Sequence, residues 1–149
     1  MTDGKTVATN RRARFDYEIL ETVEAGLVLT GTEIKAIREG RANITEAFAR
    51  PESGELWLFN AYISQYSSAT GQSHDATRPR KLLLHKDEVV SLSRQVAEKG
   101  LAIVPLRLYI RRHLAKVELG LGRGRRRYDK RRVIIERERE REARAAIRR

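Results

Sequence analysis

Within the segment Leu101 to Leu121 two runs place an apolar residue at every second position. Val104, Leu106, Leu108 and Ile110 carry the pattern through the first run, Val117, Leu119 and Leu121 through the second. A period of two lines one face of a strand, so the runs Leu101–Arg111 and Leu114–Leu121 predict a β-hairpin with one apolar face. Any fold for this chain must bury that face.

The preceding residues supply further strands. Phe15 to Thr30 is strand-like, with Tyr17, Ile19, Leu20 and Val23 before Gly26 and Leu27, Val28 and Leu29 after it. A lone glycine in such a pattern implies a bulge or a close backbone approach. Gly31-Thr32-Glu33 opens a short helix with Thr32 as N-cap, Ile34 and Ile37 on one face and Gly40 as its stop. Ile44–Ala49 and Glu55–Ser64 read as strands around a turn at Pro51–Gly54. Residues 67–80 form a polar loop, and Lys81–His85 is a short apolar run. A second helix spans about Lys86 to Lys99, with Asp87 and Glu88 at its positive end, Val89, Leu92 and Val96 on one face, and Gly100 after it. Five or six strands and two short helices in about 105 residues predict a mainly β, small closed barrel. The oligonucleotide-binding (OB-type) barrel is one such design.

Charge divides the chain differently. The net charge of +11 is distributed as +3 over residues 1–14, zero over 15–119 and +8 over 120–149. A neutral body with cationic ends is the electrostatic footprint of a polyanion-binding protein. Arginine provides 24 of the 31 basic residues, which suits bidentate phosphate contacts and stacking on bases. The expected organisation is a flexible N-terminus over residues 1–9, a barrel over 10–122 and a basic tail over 123–149. The glycines at 120, 122 and 124 should keep the hairpin from extending far. Residues 136–142 alternate in sign, placing opposite charges at i+3 and like charges at i+4 on a helix. Apolar support is sparse, so the tail should be disordered when free and helical when bound.

Several chemistries lack their residues. There is no cysteine, hence no disulfide, thiolate zinc site or cysteine nucleophile. His74, His85 and His113 have no metal-ligand spacing and read as ordinary surface or strand-edge residues. No Walker loop or dinucleotide fingerprint occurs. Glu24 and Glu33 are a conceivable carboxylate pair, but nothing marks an acid and a base. The expectation is a non-enzyme with no metal, cofactor, small-molecule substrate or membrane partner. No stretch approaches the roughly 18 apolar residues of a membrane helix, and the N-terminus has no hydrophobic segment for a signal peptide, so the expected location is the cytoplasm.

Three stretches combine cations with surfaces for bases. Asn10-Arg11-Arg12-Ala13-Arg14-Phe15 sets three guanidiniums beside an aromatic ring. Arg78-Pro79-Arg80-Lys81 runs into Leu82-Leu83-Leu84, and Arg125 to Arg132 surrounds Tyr128. Folded RNA is recognised by shape, backbone contacts and stacking on unpaired bases, which needs this mixture.

Together these stretches resemble the small protein B family, the SsrA-binding proteins that partner transfer-messenger RNA (tmRNA) in bacterial ribosome rescue. The resemblance runs from Asn10 to about Arg131, through NRRARFDYEILETVEAGLVLTGTEIKAIREGRANI, HDATRPRKLLLHKDEV, KGLAIVPLRLYI, KVELGLGRG and YDKR. It implies an OB-type barrel that binds the tRNA-like domain of tmRNA, standing in for the anticodon arm. The tail would enter the vacant mRNA channel and contact the decoding region of the small ribosomal subunit. Translation would then resume on the messenger portion and tag the nascent chain for degradation. Asn10, Glu24 and Leu83 match family positions associated with RNA binding, with Arg80, Lys81 and Lys116 as neighbours. Arg12, Arg14 and Phe15 complete the candidate RNA set. Gly124-Arg125-Arg126 corresponds to the family's Gly-Lys-Lys, and Tyr128, Asp129, Lys130 and Arg131 join it as tail residues for the ribosome. Phe15 stands where the family commonly has histidine, which keeps stacking but loses a ring hydrogen bond. The competing reading is a general or ribosomal single-strand RNA-binding barrel whose tail adds only charge.

Overall fold

A computed structural model describes residues 4–65 and 74–147. The strands are β1 (Lys5–Thr9), β2 (Tyr17–Leu27), β3 (Ala42–Asn43), β4 (Phe48–Glu52), β5 (Glu55–Phe59), β6 (Tyr62–Ile63), β7 (Arg80–Leu83), β8 (Ala102–Arg111) and β9 (Leu114–Gly124). The helices are α1 (Ala13–Asp16), α2 (Gly31–Arg38), α3 (Lys86–Lys99) and α4 (Arg127–Ile147). The ladder runs β8-β4-β5-β7-β2-β9, and β9 pairs again with β8, so the ring closes. Strand β1 joins the free part of the β8 edge beyond the single β4 contact at Ile103. All of these pairings are antiparallel. The expected mainly β, OB-like barrel with short helices is what the chain forms.

The barrel interior holds Ala25, Leu56, Leu58, Leu82, Ile103, Leu108, Val117, Leu119 and Leu121, closed by Ile37 of α2 and Val89 and Leu92 of α3. Helix α2 begins at a full capping box. Thr30 Oγ1 accepts from the Glu33 N–H, and Glu33 Oε1 accepts from the Thr30 N–H at 2.8 Å. Such a cap contributes about 1 kcal/mol. The cap is therefore Thr30 and not Thr32, whose hydroxyl instead meets His74 Nδ1 at 2.8 Å. His74 is buried and its Nε2 donates to the Ile63 carbonyl, so it is an interior residue and not a surface one.

Other boundaries also differ from expectation, each for a local reason. Residues 5–9, expected to be flexible, form β1 because β8 outruns β4 and leaves an open edge. The strand expected at Ile44–Ala49 begins only at Phe48, since Asn43 Oδ1 accepts the Thr45 N–H and turns the backbone. The strand expected over Glu55–Ser64 breaks at Asn60, whose φ of 62° lies outside the strand region.

The glycine-rich end of the hairpin is fully paired. Strand β9 continues to Gly124, opposite Tyr17. A Cβ at Gly122 would lie 2.9 Å from the Glu18 carbonyl oxygen, and one at Gly120 would crowd Leu106 and Ile19. These glycines serve close packing where flexibility was expected.

The strict alternation along β8 also divides. A bulge between Pro105 and Arg107 shifts the register by one residue, which exchanges the two faces. Leu108 and Ile110 face the barrel interior, whereas Val104 and Leu106 pack on its outside with Ala13, Tyr17 and Ile19. A matching shift between Ile19 and Glu21 of β2 turns Val23 and Ala25 inward. The two bulges create a small second core that seats α1.

Candidate nucleic-acid interface

Strand alternation decides which candidate side chains reach solvent. Leu82, Ala25, Val117 and Leu108 are in the core, so Leu83, Gly26, Lys116 and Tyr109 point outward. Cross-strand register aligns those four in one row, Leu83 opposite Gly26, Gly26 opposite Lys116 and Lys116 opposite Tyr109. The next row contains Glu24, Glu118 and Arg107. Residues 24, 83 and 116, distant in sequence, thus share one outer face. Leu83 is half exposed and packs beside Gly26, where a Cβ would meet its Cβ at 3.4 Å and its Cδ1 at 3.6 Å, and Lys81 adds a cation that also meets Glu55 at 3.5 Å.

Glu24 is held from two sides. Its Oε2 accepts from the Tyr109 hydroxyl and from Arg111 Nη1 at 3.3 Å. The Tyr109 hydrogen bond keeps the Glu24 carboxyl below its ordinary value of 4.5, against partial burial and with help from Arg111 and Lys116. Burial, then the bond to Glu24, pushes the Tyr109 phenol up. Arg107 stacks over the Tyr109 ring with its guanidinium carbon 4.1 Å from the centroid. Sequence reading missed Tyr109, because an aromatic on a strand gives no sign of its cross-strand partner.

Two candidates lie inside the protein and leave the contact surface. Arg80 has no exposed surface. Its Nε donates to Glu33 Oε2 at 2.7 Å, Nη1 to the Ala61 carbonyl at 2.6 Å, and Nη2 to the Ala76 carbonyl at 3.1 Å. Arg78 donates to both oxygens of the same buried Glu33. Burial alone would raise the Glu33 carboxyl, but the bonds from Arg78, the Thr30 N–H and Arg80 outweigh it and the net shift is downward. Asn10 is buried too, donating to the Ile44 and Pro105 carbonyls and accepting from the Ala13 N–H. Both residues position the site from behind. Arg80 anchors the chain entering β7, which carries Lys81 and Leu83, and Asn10 anchors the chain entering α1.

The remaining candidates gather near the other end of the β2–β9 ladder. Arg12 and Arg14 are exposed on or beside α1, and Arg12 approaches Asp16 and Glu46, each at 3.8 Å. Lys130 bridges the tail to this corner. Its ammonium lies 3.2 Å from Asp16 Oδ1 and 5.7 Å from the centre of the Phe15 ring. The Arg125 N–H donates to the Asp16 carbonyl at 2.8 Å, while Arg125 Nε is buried without a hydrogen-bond partner among the described residues. Asp129 Oδ2 accepts the Arg126 N–H at 3.4 Å, closing the start of α4. Gly124, Arg126 and Arg131 are exposed, and the Tyr128 side chain lies outside the described residues. The ladder from Gly26–Lys116 to Tyr17–Gly124 separates the two groups by nine residues, roughly 30 Å at the usual strand rise.

Among the described residues no group of three or more His, Cys, Asp or Glu could hold a metal ion. No helix among them is long and apolar enough to cross a membrane.

A closed β-barrel with a mixed basic, apolar and acceptor-bearing outer face and a long charged C-terminal helix defines the class as an OB-like barrel with a basic tail. The chain belongs to the SmpB protein family, whose model matches residues 7–149. It is 53% identical over 145 residues to the SsrA-binding protein of Thermobifida fusca, covering 97% of this chain and 91% of that protein. It is 54% identical over 143 residues to the SsrA-binding protein of Desulforudis audaxviator, covering 95% and 94%. It also matches a chain in a solved structure described as "tmRNA-SmpB: a journey to the center of the bacterial ribosome". The TM-score is 0.67 at 51% identity, over 85% of this chain and 92% of that one.

Proposed function

We propose that this protein binds the tRNA-like domain of tmRNA, completes its tRNA mimicry in place of the anticodon arm, and delivers it in the cytoplasm to ribosomes stalled without a codon in the A site. It acts as an adaptor with no catalysis of its own. The observation that carries the reading is the convergence of Glu24, Leu83 and Lys116, from three strands, on one exposed face in a chain about half identical to SsrA-binding proteins. Leu83 and the bare backbone at Gly26 suit the face of an unpaired base, while Lys81 and Lys116 suit phosphates. Arg12, Arg14 and Phe15 extend the contact toward the tail.

The tail works separately. Gly124, Arg125, Arg126, Tyr128, Asp129, Lys130 and Arg131 contact the decoding region, and the helix beyond them lies in the empty mRNA channel, so that the nascent chain is tagged. A buried N–H without an acceptor costs on the order of 1–3 kcal/mol, so Arg125 gains a partner when the start of α4 leaves the body for ribosomal RNA.

The test compares affinity for the tRNA-like domain with that for a tRNA of equal length at physiological salt, using the full chain and a chain ending at Gly124. Strong preference for the tRNA-like domain in both, with rescue of stalled ribosomes lost in the shorter chain, is expected. Equal, salt-sensitive binding to both RNAs, weakened by truncation, would instead identify a general single-strand RNA-binding barrel.

A further inference from the structure

We propose that Tyr109 is the positioning residue for Glu24, and that the positioned carboxylate accepts an N–H from the amino edge of an unpaired base. The inference rests on the reading of this face as the RNA-binding surface and names the chemistry of one contact within it.

Tyr109 lies on the outer side of β8, yet it is only 3% exposed. Arg107 covers its ring, and Thr6 and Lys116 are its cross-strand neighbours. The phenol oxygen lies on the axis of a ring that is buried on both sides, so its place is fixed by packing and not by solvent. That hydroxyl and Arg111 both bind Glu24 Oε2. Among the described residues no donor occupies Oε1, and the Glu24 side chain is 40% exposed. One oxygen is therefore tethered and the other is presented.

An ionised carboxylate only accepts hydrogen bonds. Phosphate oxygens, base carbonyls and unprotonated ring nitrogens would face it with lone pairs, which excludes them as direct partners. A base amino group supplies the donor. The neighbouring surface can hold such a base. Gly26 lies two residues along β2 from Glu24, about 6.6–6.8 Å at strand rise, and a Cβ there would sit 3.4 Å from Leu83 Cβ. A base resting over Gly26 against exposed Leu83 directs its edge toward Glu24 Oε1. Arg107, Arg111 and Lys116 flank the position and offset the repulsion between its phosphates and the carboxylate.

The experiment is a double-mutant cycle of Tyr109→Phe and Glu24→Gln, with Glu24→Ala, against the tRNA-like domain of tmRNA. Each RNA carries one loop nucleotide whose exocyclic amino group has been deleted. Tyr109→Phe should weaken binding about tenfold, the size of one oriented charge-assisted hydrogen bond. It should cost less than about twofold in the Glu24→Ala background, and its effect should vanish on the one RNA lacking the matching amino group. The Glu24 carboxyl, followed by NMR, should titrate at higher pH in Tyr109→Phe.

A loss of affinity that persists in the Glu24→Ala background, or an unmoved Glu24 titration, would make Tyr109 merely structural and overturn the proposal. Coupling to a ribose 2′-hydroxyl in place of an amino group would overturn the assigned ligand. If Glu24→Ala leaves binding unchanged, the reading of the face as the RNA surface fails as well. If Glu24→Ala weakens binding and Tyr109→Phe does not, only the positioning role fails.

Discussion

Arg80 Nε donates to Glu33 Oε2 across 2.7 Å, and neither side chain has any exposed surface. Glu33 simultaneously caps α2 through the Thr30 N–H, so one carboxylate ties the helix to the strand that carries Leu83. Without Arg80 the buried Glu33 would keep only Arg78 and the Thr30 N–H as partners among the described residues, and weakening a buried pair in this way costs up to about 3–5 kcal/mol. Arg80→Met should therefore lower the midpoint of thermal or urea unfolding sharply. Glu33→Leu in the same chain should recover part of that loss, because no buried carboxylate short of a partner then remains. RNA affinity per folded molecule should fall less than for loss of Leu83 itself, because Arg80 acts only through the placement of β7.

The same pair sets an acid limit. The Glu33 carboxyl is lowered in the folded protein from 4.5, so its contribution to stability is fully present above that value. It is lost as pH falls through the depressed folded value, when the unfolded chain binds a proton that the native chain resists. Stability measured by urea titration should be flat above about pH 5.5 and decline below 4.5. Glu33→Gln should flatten the decline while lowering stability at neutral pH.

Glu24→Ala and Leu83→Ala alter an exposed face, and exposed substitutions usually change stability by no more than about 0.5 kcal/mol. Their melting temperatures should stay near that of the parent protein while affinity for the tRNA-like domain falls about tenfold, as for loss of one specific contact. Lys81→Ala or Lys116→Ala should act differently. Each should reduce the slope of log affinity against log salt by about 0.7–0.9, the signature of one lost phosphate contact. A collapse of the melting curve for Glu24→Ala would assign that residue to the fold.

Gly122→Ala tests the packing at the end of the hairpin. The new Cβ would lie 2.9 Å from the Glu18 carbonyl oxygen, a backbone atom that cannot swing aside. A loss of about 1–3 kcal/mol is expected, measured by urea unfolding. Gly124→Ala, where nothing among the described residues lies within 4 Å, should be close to neutral.

The sequence by itself determined the barrel class, because the long hairpin and helices α2 and α3 rest on short-range rules, whereas β1 and the bounds of β4 to β6 do not. Period-two patterns in β8 and β9, the glycine after α3 at left-handed φ 64° and the acidic residues at the start of α3 are each visible in a short stretch of chain. It also determined the segregated charge, and the family resemblance picked out Asn10, Glu24 and Leu83 with Arg80, Lys81 and Lys116 as candidates, of which Asn10 and Arg80 are buried.

Only the tertiary structure decided which of two adjacent basic residues is buried. Arg80 and Lys81 look alike in sequence, yet strand alternation turns one into a core ion pair and the other outward. The inward choice depends on Glu33 waiting 47 residues away, which no local pattern contains. The same holds for the bulges at Pro105/Arg107 and Ile19/Glu21. A one-residue register shift is fixed by the partner strand, so a strictly alternating run could be divided between two cores without any mark in its own residues. Tyr109 acquires Glu24 for the same reason: cross-strand neighbours are set by register, and register is a property of the closed sheet.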